Sequence, residues 1–447
     1  MTMQDTGKPA PPAAAPRGAG AARPARLATL QAVRGMNDVL PDEAALWERL
    51  EDAARTTFAQ YGYRNIRVPI VENTAVFVRG IGDATDIVER EMYTFDDKLN
   101  GESLTLRPEA TAGIVRAAIE HHLTYERPQR VWTMGPMFRH ERPQKGRYRQ
   151  FHQFDVEALG FEGPDVDAEQ IVMLARLWRT LGLADGIRLQ VNSIGDRHDR
   201  FAHRGELVAY FQRHQSTLDE DSRRRLVTNP LRILDSKNPA MQTMLADAPR
   251  LIDMIRDESL AHFERLRGLL DEAGIAYEVN PRLVRGLDYY NRTVFEWVTD
   301  RLGAQGTVAG GGRYDDLFEQ LGGKRDFACG FAIGAERMIL LLQDAGSMSV
   351  AAPLAYVVHS GDAAAAFARR IAEALRDAGH AVVLNAGGGS FKSQMKRADA
   401  SGAALALIVG DDEAETQSVA VKPLRRTGDQ VAVPVSELAA RIVALAA

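Results

Sequence analysis

Residues 138–160, FRHERPQKGRYRQFHQFDVEALG, are the most informative part of the chain because they predict a β-hairpin with a basic tip. The run VWTMGPMFRHE is typical of a strand, PQKGRY of a Pro/Gly turn, and QFHQFDVEALG of the returning strand. The turn carries Lys145, Arg147 and Arg149. Fixed positive charge that lies close to acidic side chains fits a polyphosphate site.

The returning strand of this hairpin separates two kinds of side chain. Because side chains alternate faces along a strand, four of them share one face. These four are Phe151, Gln153, Asp155 and Glu157. His152, Phe154 and Val156 then point the other way, toward the core. A surface hairpin also carries charge on its solvated side, so this segment alone leaves open both a surface hairpin and a ligand site.

Composition limits the class of protein. A chain of 447 residues can bury a large core and is expected to hold two or three domains. Its formal charge of −5 excludes a bulk polycation, so any contact with nucleic acid must rest on local basic clusters. The single cysteine, Cys329, excludes an internal disulfide and a multi-cysteine zinc site. Apolar runs such as AALALIV are far shorter than the roughly 20 residues of a spanning helix, and we expect no membrane span.

Residues 1–30 form an Ala/Pro/Gly-rich segment with few large apolar side chains, which predicts a disordered tail. The segment lacks the apolar stretch of a secretory signal. Its arginines could imitate an organellar transit peptide, but Asp5 and the absence of serine argue against this. We therefore expect a cytoplasmic protein with a dispensable tail.

The rest of the chain is expected to contain two domains, at residues 31–345 and 353–447. The first shows strand-like runs and amphipathic helices, and a charged helical stretch at about 196–278 interrupts it. We interpret this stretch as an inserted helical domain, in which apolar side chains recur at helical spacing: Phe263, Leu266 and Leu270. In the second domain strands and helices alternate, which predicts a compact α/β unit.

Six segments together resemble one family. FRHERPQKGRYRQFHQ resembles motif 2 of class II aminoacyl-tRNA synthetases, in the form found in histidyl-tRNA synthetases. GYRNIRVPIVE at 62–72 resembles motif 1, TLRPEATAG at 105–113 the amino-acid loop, and GFAIGAERMILLL at 330–342 motif 3. LVRGLDYYNRTVFEW at 283–297 and AGGGRYD at 309–315 resemble the histidine-specific motifs. Their order and spacing match the family from about Ala32 to the C-terminus.

The resemblance implies an α+β fold: a class II antiparallel sheet with flanking helices, a helical insertion, and a C-terminal α/β anticodon-binding domain. It implies a homodimer that ligates L-histidine to its tRNA through a histidyl-adenylate made from ATP. Arg139 and Arg285 would act at the reacting centre, because arginine stays protonated and its planar fork binds phosphate or carboxylate bidentately. Mg²⁺ would accompany ATP, held mainly by its phosphates and by no protein side chain.

The resemblance also implies the binding residues. Those for histidine are Glu109, Ala110, Thr111, Arg139, Gln153, Glu157, Arg285, Tyr289, Tyr290 and Tyr314. Those for ATP are Arg139, Glu141, Arg147, Phe151 and Arg337. The acceptor end of tRNA would contact Arg142, Gln144 and Arg149, and the anticodon domain would use Lys392, Lys396 and Arg397.

Simpler interpretations exist for several of these side chains. Arg337 could cap or pair at a helix start, and Glu109 and Glu157 could each pair with a nearby arginine within the sheet. The basic residues near Lys392 could be a solvated helix face.

Two other functions compete with ligation. The regulatory subunit of ATP phosphoribosyltransferase reuses this fold to sense histidine, and fold alone does not separate the two. A sensor does not need the basic loop of motif 2, Arg337, or residues 353–447, all of which are present. A general nucleic-acid-binding module leaves the pocket motifs unexplained.

Overall fold

The computed structural model describes residues 29–82, 85–236, 238–303, 306–346 and 352–446. The predicted disorder of the N-terminal tail therefore lies almost entirely outside the described residues. Among the helices of the described part, none is long and apolar enough to cross a membrane.

Within the described residues, sixteen strands form three sheets. In chain order they are β1 Arg64–Asn65, β2 Val71–Asn73, β3 Tyr93–Asp96, β4 Ser103–Leu106, β5 Gln129–Phe138, β6 Gln150–Leu159, β7 Arg188–Ser193, β8 Tyr277–Val279, β9 Asn291–Val298, β10 Thr307–Arg313, β11 Ala328–Gly334, β12 Ala355–His359, β13 Val382–Leu384, β14 Leu405–Val409, β15 Ser418–Pro423 and β16 Val431–Pro434.

The α-helices of the described residues are α1 Pro41–Gln60, α2 Thr74–Ile81, α3 Thr111–Glu120, α4 Pro164–Leu181, α5 Arg197–Arg213, α6 Glu220–Thr228, α7 Gln242–Ala246, α8 Asp257–Glu272, α9 Leu317–Gln320, α10 Ala335–Asp344, α11 Asp362–Asp377, α12 Phe391–Ala400, α13 Asp411–Thr416 and α14 Val435–Ala446. Local sequence sets their ends, as α4 illustrates. Pro164 stands at its first turn with Asp165, where a missing N–H and a negative charge are both favourable. Gly182 ends it in the left-handed conformation, at φ 75°.

The main sheet has eight strands in the order β1-β5-β6-β11-β10-β9-β7-β8. Its six inner strands are antiparallel, and the short edge strands β1 and β8 add parallel pairs. Strands β5 and β6 form the predicted hairpin, with Met134 opposite Phe154 and Thr133 opposite Asp155. The predicted α+β fold, an antiparallel sheet with flanking helices and a C-terminal α/β unit, is confirmed.

One face of the main sheet carries the principal core. Phe154 of β6, Phe331 of β11 and Phe295 of β9 pack there with side chains of α1, α4 and α10. His152 lies on the same side, with its ring 5.1 Å from that of Trp47. The opposite face of β6 carries the polar side chains that strand alternation predicts.

The charged helical stretch divides into two parts. Apolar side chains between Leu207 and Ala248 form a separate core of their own. In contrast, Phe263, Leu266 and Leu270 of α8 lie in the core of the main sheet. Helix α8 therefore packs with the main domain, although its sequence resembles that of the insertion.

The C-terminal residues form an independent five-stranded sheet, in the order β13-β12-β14-β15-β16. Strands β13, β12 and β14 are parallel, and β15 and β16 complete the sheet with antiparallel pairs. Its core contains Val357, Leu407, Phe367 and Ile371, so α11 covers one face. This unit has a hydrophobic core of its own, as a separate domain requires.

A buried ionic network joins α4, β10 and α8. The Arg313 side chain, 0% exposed, donates from Nη2 to Oδ1 of Asp167 at 2.9 Å and from Nη1 to Oδ1 of Asp315 at 2.9 Å. His262 of α8 lies 3.0 Å from Asp167. Burial disfavours the charge of Asp167, but Arg313 and His262 outweigh burial and lower the pKa of this carboxyl.

We expect Asp167→Ala to lower the free energy of unfolding by about 3–5 kcal/mol, because it removes one of the two carboxylates that pair with the buried Arg313 guanidinium. Urea denaturation followed by circular dichroism measures this change. Asp300→Ala is the matched control, since Asp300 pairs with Arg188 on the surface. Its midpoint should stay that of the unsubstituted protein, and equal midpoints for both variants would contradict a stabilising role of the network.

Candidate active site

A cavity of about 360 Å³ opens on the polar face of the main sheet, between the hairpin tip and strands β9, β10 and β11. Ten of the residues predicted from sequence line it together: Glu109, Thr111, Arg139, Glu141, Arg147, Phe151, Gln153, Arg285, Tyr290 and Arg337. Glu109 and Arg337, the first and last of them, are 228 positions apart along the chain, and the sheet register brings all ten together.

Other predicted residues lie elsewhere. Buried side chains adjoin the cavity without lining it at four positions: Ala110, Glu157, Tyr289 and Tyr314. Arg142 and Gln144 are exposed on the hairpin tip. Arg149 is partly buried and donates from Nε to the carbonyl oxygen of Glu141 at 3.1 Å. On α12 of the C-terminal unit, Lys392, Lys396 and Arg397 are exposed.

Arg139 is a half-buried cation that directly follows β5. Its Nε donates to the carbonyl oxygen of Pro108 at 2.9 Å, and its guanidinium lies 5.1 Å from the centre of the Phe151 ring. Burial lowers the pKa of this guanidinium, although Glu91 and Glu109 favour its charged form. The reference pKa of arginine is so high that the side chain remains a cation at neutral pH.

Arg285 precedes β9 in the chain, and its Nη1 pairs with Glu296 of that strand. Its guanidinium is 5.5 Å from the centre of the Tyr290 ring, and its buried Nε has no hydrogen-bond partner among the described residues. Burial opposes the charge, but Tyr290 and Glu296 outweigh it and raise the pKa of Arg285. The side chain is a fixed cation with one donor left for a ligand.

Two further arginines complete the positive side of the cavity. Arg337, in the first turn of α10, donates to the carbonyl oxygens of Gly146, at 3.0 Å, and Thr307. Burial, together with repulsion from Arg139 and Arg147, lowers its pKa to about 10. Arg147 on the hairpin tip pairs with Glu141. The cavity thus brings several arginines close together, and an anionic ligand would reduce the repulsion between them.

Glu109 closes the N-terminus of α3. Its Oε2 accepts the backbone N–H of Thr111 at 2.7 Å, and its Oε1 accepts that of Ala112 at 3.0 Å. Burial raises the pKa of this carboxyl against the effect of those two hydrogen bonds. The simpler interpretation was that Glu109 pairs with an arginine. The structure instead shows its carboxylate accepting backbone N–H groups at the start of α3.

Glu157 is held by two hydroxyl groups. Thr111 donates from Oγ1 to its Oε1 at 2.7 Å, and the Tyr314 hydroxyl donates to its Oε2. Burial raises its pKa well above the usual value. Tyr289 packs against Tyr290 and Tyr314 with ring centres 4.7 and 5.4 Å apart, so an aromatic wall stands beside this carboxyl group.

Glycines make room for two of these charged side chains. A Cβ at Gly330 of β11 would overlap the carboxyl group of Glu157, which lies opposite it in the sheet. A Cβ at Gly310 of β10 would stand 2.6 Å from Nη1 of Arg285. The glycine-rich strands therefore allow long charged side chains to lie flat across the sheet.

Three acidic residues of the cavity were not among the site residues predicted from the sequence. Asp155, on the predicted polar face of β6, lines the cavity; burial and then Glu109 raise its pKa to about 8. Glu296 of β9 accepts from both Arg285 and Thr307. Glu336 of α10 accepts from the backbone N–H of His152 at 2.9 Å. Strand alternation was a usable signal for Asp155 and Glu296, because each stands between apolar residues that face the core.

Family models match nearly the whole described chain. The model described as histidyl-tRNA synthetase matches residues 35–338, which include the entire cavity. The chain belongs to the histidyl-tRNA synthetase family. A second model, described as an anticodon binding domain, matches residues 354–445. The resemblance found in the sequence is thus confirmed, together with the expected class of enzyme, an aminoacyl-tRNA ligase.

Individual members are similar over their full length. The histidine–tRNA ligase of Methylobacillus flagellatus is 61% identical over 91% of this chain and 97% of its own. The apo crystal structure of S. aureus histidyl-tRNA synthetase is 35% identical, with a TM-score of 0.78, and covers 93% of this chain and 100% of that one.

A second solved structure shares the fold alone. An ATP phosphoribosyltransferase regulatory subunit/histidyl-tRNA synthetase from Bacillus halodurans is 22% identical, with a TM-score of 0.60, over 83% of this chain and 97% of its own. The histidyl-tRNA synthetase fold therefore extends to a protein whose name includes a regulatory subunit, so the fold by itself does not show ligase activity.

The raised pKa of Asp155 predicts a pH dependence. Between its ordinary pKa of 3.8 and about 8, the folded protein keeps a proton that the unfolded chain releases. The free energy of unfolding therefore falls as pH rises through this window, by at most about 1.4 kcal/mol per pH unit. Asp155→Asn should remove that contribution, so the variant should gain stability relative to the unsubstituted protein between about pH 5 and pH 8. Urea denaturation at several pH values checks this, and parallel curves would show that Asp155 is ionised throughout.

Proposed function

We propose that the protein ligates L-histidine to its tRNA with ATP, through a histidyl-adenylate and pyrophosphate. The observation that carries this proposal is the meeting of Arg139, Arg285 and Arg337 in one cavity with the polar face of β6. A carboxylate and a triphosphate are both anions, so a site that joins them must supply fixed positive charge. Family membership and the C-terminal domain support the same function.

In the first step a carboxylate oxygen of histidine attacks the α-phosphorus of ATP, and the bond to pyrophosphate breaks. Arg285 and Arg139 hold the two anions and stabilise the charge that develops on the phosphoryl oxygens. In the second step the 3′-terminal ribose hydroxyl of tRNA attacks the activated carbonyl, and AMP leaves. The free Nε donor of Arg285 is suited to the carboxylate or the α-phosphate.

The proposed histidine site lies against β6. The imidazole of histidine would contact Glu157 and Tyr290, and Tyr289 and Tyr314 would form the wall of its pocket. The amino-acid end of histidine would contact Thr111 and Gln153, beside the buried Ala110 and Glu109. When an analogue without the matching polar atoms binds, the buried polar groups of the pocket are left without hydrogen-bond partners. This supports selection of histidine over apolar amino acids.

The proposed ATP site lies toward the hairpin tip. Phe151 offers a ring face for adenine, Arg337 would contact the outer phosphates, and Arg147 with Glu141 would border the nucleotide. Mg²⁺ enters with ATP as part of the substrate. Phosphate oxygens and water would hold it, since Mg²⁺ retains most of its waters and binds through few protein groups.

Transfer RNA would contact two separate surfaces. The exposed Arg142 and Gln144 of the hairpin tip, with Arg149 beside them, are proposed to read the acceptor end. The exposed cations of α12 are proposed to contact the anticodon end, and the match of residues 354–445 to an anticodon binding domain supports this assignment. We further propose a cytoplasmic homodimer, as the family implies.

A histidine sensor is the competing function. Such a protein needs the histidine pocket alone, whereas this chain also presents Arg337 and Arg147 to the cavity and carries the C-terminal domain. These features favour the ligase.

Arg285→Ala should lower histidine-dependent ATP–pyrophosphate exchange by about a hundredfold or more, because it removes fixed charge from the reacting centre. Arg285→Lys should recover little activity, since an ammonium lacks the planar fork. Arg282→Ala is the matched control: Arg282 is exposed three residues away and donates to Gln242. Its exchange rate should equal that of the unsubstituted protein. Near-normal exchange by the Arg285→Ala protein would show that Arg285 does not act at the reacting centre.

Deletion of residues 353–447 should spare histidine-dependent exchange and lower tRNA charging at least tenfold, a loss of about 1.4 kcal/mol in binding. The physical reason is that the deleted residues form a core of their own and contribute nothing to the cavity. A triple variant should also lower tRNA charging while the domain remains folded. It combines Lys392→Ala, Lys396→Ala and Arg397→Ala. Charging by the truncated protein at the full-length rate would overturn the anticodon assignment.

A further inference from the structure

The loop that carries Arg285 has no regular structure of its own. Residues 284–287 belong to neither a helix nor a strand and lie between β8 and β9. Leu283 before them and Tyr289 after them are buried in a hydrophobic core beside α3. The two ends of the loop are therefore fixed by packing, and the position of Arg285 depends on what contacts the backbone between them.

One side chain of the helical insertion makes that contact. Nη2 of Arg232 donates to the carbonyl oxygen of Gly286. In the described part of the chain, no other hydrogen bond reaches the backbone of residues 284–287. This carbonyl belongs to the residue that follows Arg285, so the hydrogen bond restrains the backbone from which the Arg285 side chain projects.

Arg232 donates from a fixed place in the insertion. It lies in a short 3-10 helix, Pro230–Asp235, and Ile233 and Leu234 directly after it are buried in the core of the insertion. Arg232 itself is half-buried. Its guanidinium therefore connects two separately packed parts of the protein, the insertion and the loop at the cavity.

Two further residues of the insertion hold the same loop farther along the chain. Nδ2 of Asn229 donates to Oδ1 of Asp288 at 3.2 Å, and Nη1 of Arg200 donates to the carbonyl oxygen of Tyr290 at 2.8 Å. Both of these contacts lie beyond residue 287, whereas the contact of Arg232 is with the residue next to Arg285.

Close packing does not fix the loop against the insertion at this point. A second cavity, of about 460 Å³, lies between them, and Arg232, Val284 and Leu287 line it. Where a space separates two elements, a directional hydrogen bond contributes more to their relative position than van der Waals contact does. The hydrogen bond from Arg232 is thus the contact that sets the position of this part of the loop.

We propose that Arg232 is a positioning residue for histidine activation. It holds the Gly286 carbonyl and so keeps the Arg285 guanidinium where the carboxylate of histidine and the α-phosphate of ATP meet. Misplacement of a reacting group by roughly 1 Å can lower a rate about a hundredfold. The inference rests on the proposed function and extends it, because it makes the helical insertion contribute to amino-acid activation before any tRNA binds.

The two arginines differ in what they must supply. Arg232 supplies one N–H donor to a neutral carbonyl oxygen, and the ammonium of a lysine provides such a donor as well. Arg285 must face two anions, for which the planar fork of a guanidinium is needed. Lysine should therefore replace Arg232, although it does not replace Arg285.

Histidine-dependent ATP–pyrophosphate exchange by the full-length protein tests the inference. Arg232→Ala should lower kcat about 10- to 100-fold and raise KM for histidine, because Tyr289 and Tyr290 follow on the same loop, and should leave KM for ATP within about twofold. Arg232→Lys should keep kcat within about threefold of the unsubstituted value. A loss of folded protein would lower kcat and leave both KM values unchanged, so that pattern in Arg232→Ala would show a merely structural role.

A double variant separates positioning from a direct electrostatic effect. Arg232 is a cationic neighbour of Glu91, so its charge also acts over a distance at this side of the cavity. If Arg232 acts through Arg285, adding Arg232→Ala to Arg285→Ala lowers kcat by less than about twofold. A further loss as large as that of the single Arg232→Ala variant would overturn the inference, since the two arginines would then act independently.

Arg204→Ala is the matched control for this series. Arg204 is an exposed cation of the insertion that lines the same second cavity, and it donates to the carbonyl oxygen of Val227 at 3.0 Å, away from the loop. The exchange kinetics of this variant should equal those of the unsubstituted protein. Normal exchange by Arg232→Ala, or no recovery by Arg232→Lys, would overturn the positioning role. Failure of the unsubstituted protein to show histidine-dependent exchange would instead overturn the proposed function.

Discussion

Strand β6 must bury both of its faces, and the rest of the catalytic part is arranged around that requirement. Phe154 and Val156 pack into the principal core, while Asp155 and Glu157 point away from it and are buried too. A polar face can remain buried only if other elements bring hydrogen-bond partners to it. Helix α3 and strands β9, β10 and β11 do so, and the cavity is the space that remains between them.

Burial of charge has opposite outcomes on the two sides of the sheet. The Arg313 network is fully paired, and its carboxylate Asp167 has a lowered pKa. In the cavity, by contrast, burial raises the pKa of Asp155 and of Glu157, and Arg107 and Arg139 offset it only in part at Asp155. The first arrangement stabilises the fold, and the second leaves electrostatic free energy that a substrate can release on binding.

Much of this was predictable from local pattern. The hairpin, the two faces of β6 and the alternation in the C-terminal unit follow from side-chain periodicity, and the motif resemblance indicated the residues that line the cavity. The packing of α8 was not predictable in the same way. Phe263, Leu266 and Leu270 specify an apolar helix face, but a periodic pattern does not say which core covers it.

Sequence by itself determined the family, the order of the elements and which side chains share a face, because these depend on residues close together in the chain. Tertiary structure alone decided the partners. Glu157 meets Thr111, 46 positions away, and Tyr314, 157 positions away. Such pairs depend on strand register and on glycines such as Gly330 that permit close approach. Hydrogen bonds between residues so far apart in the chain are set by how whole strands and helices pack, which no local sequence pattern encodes.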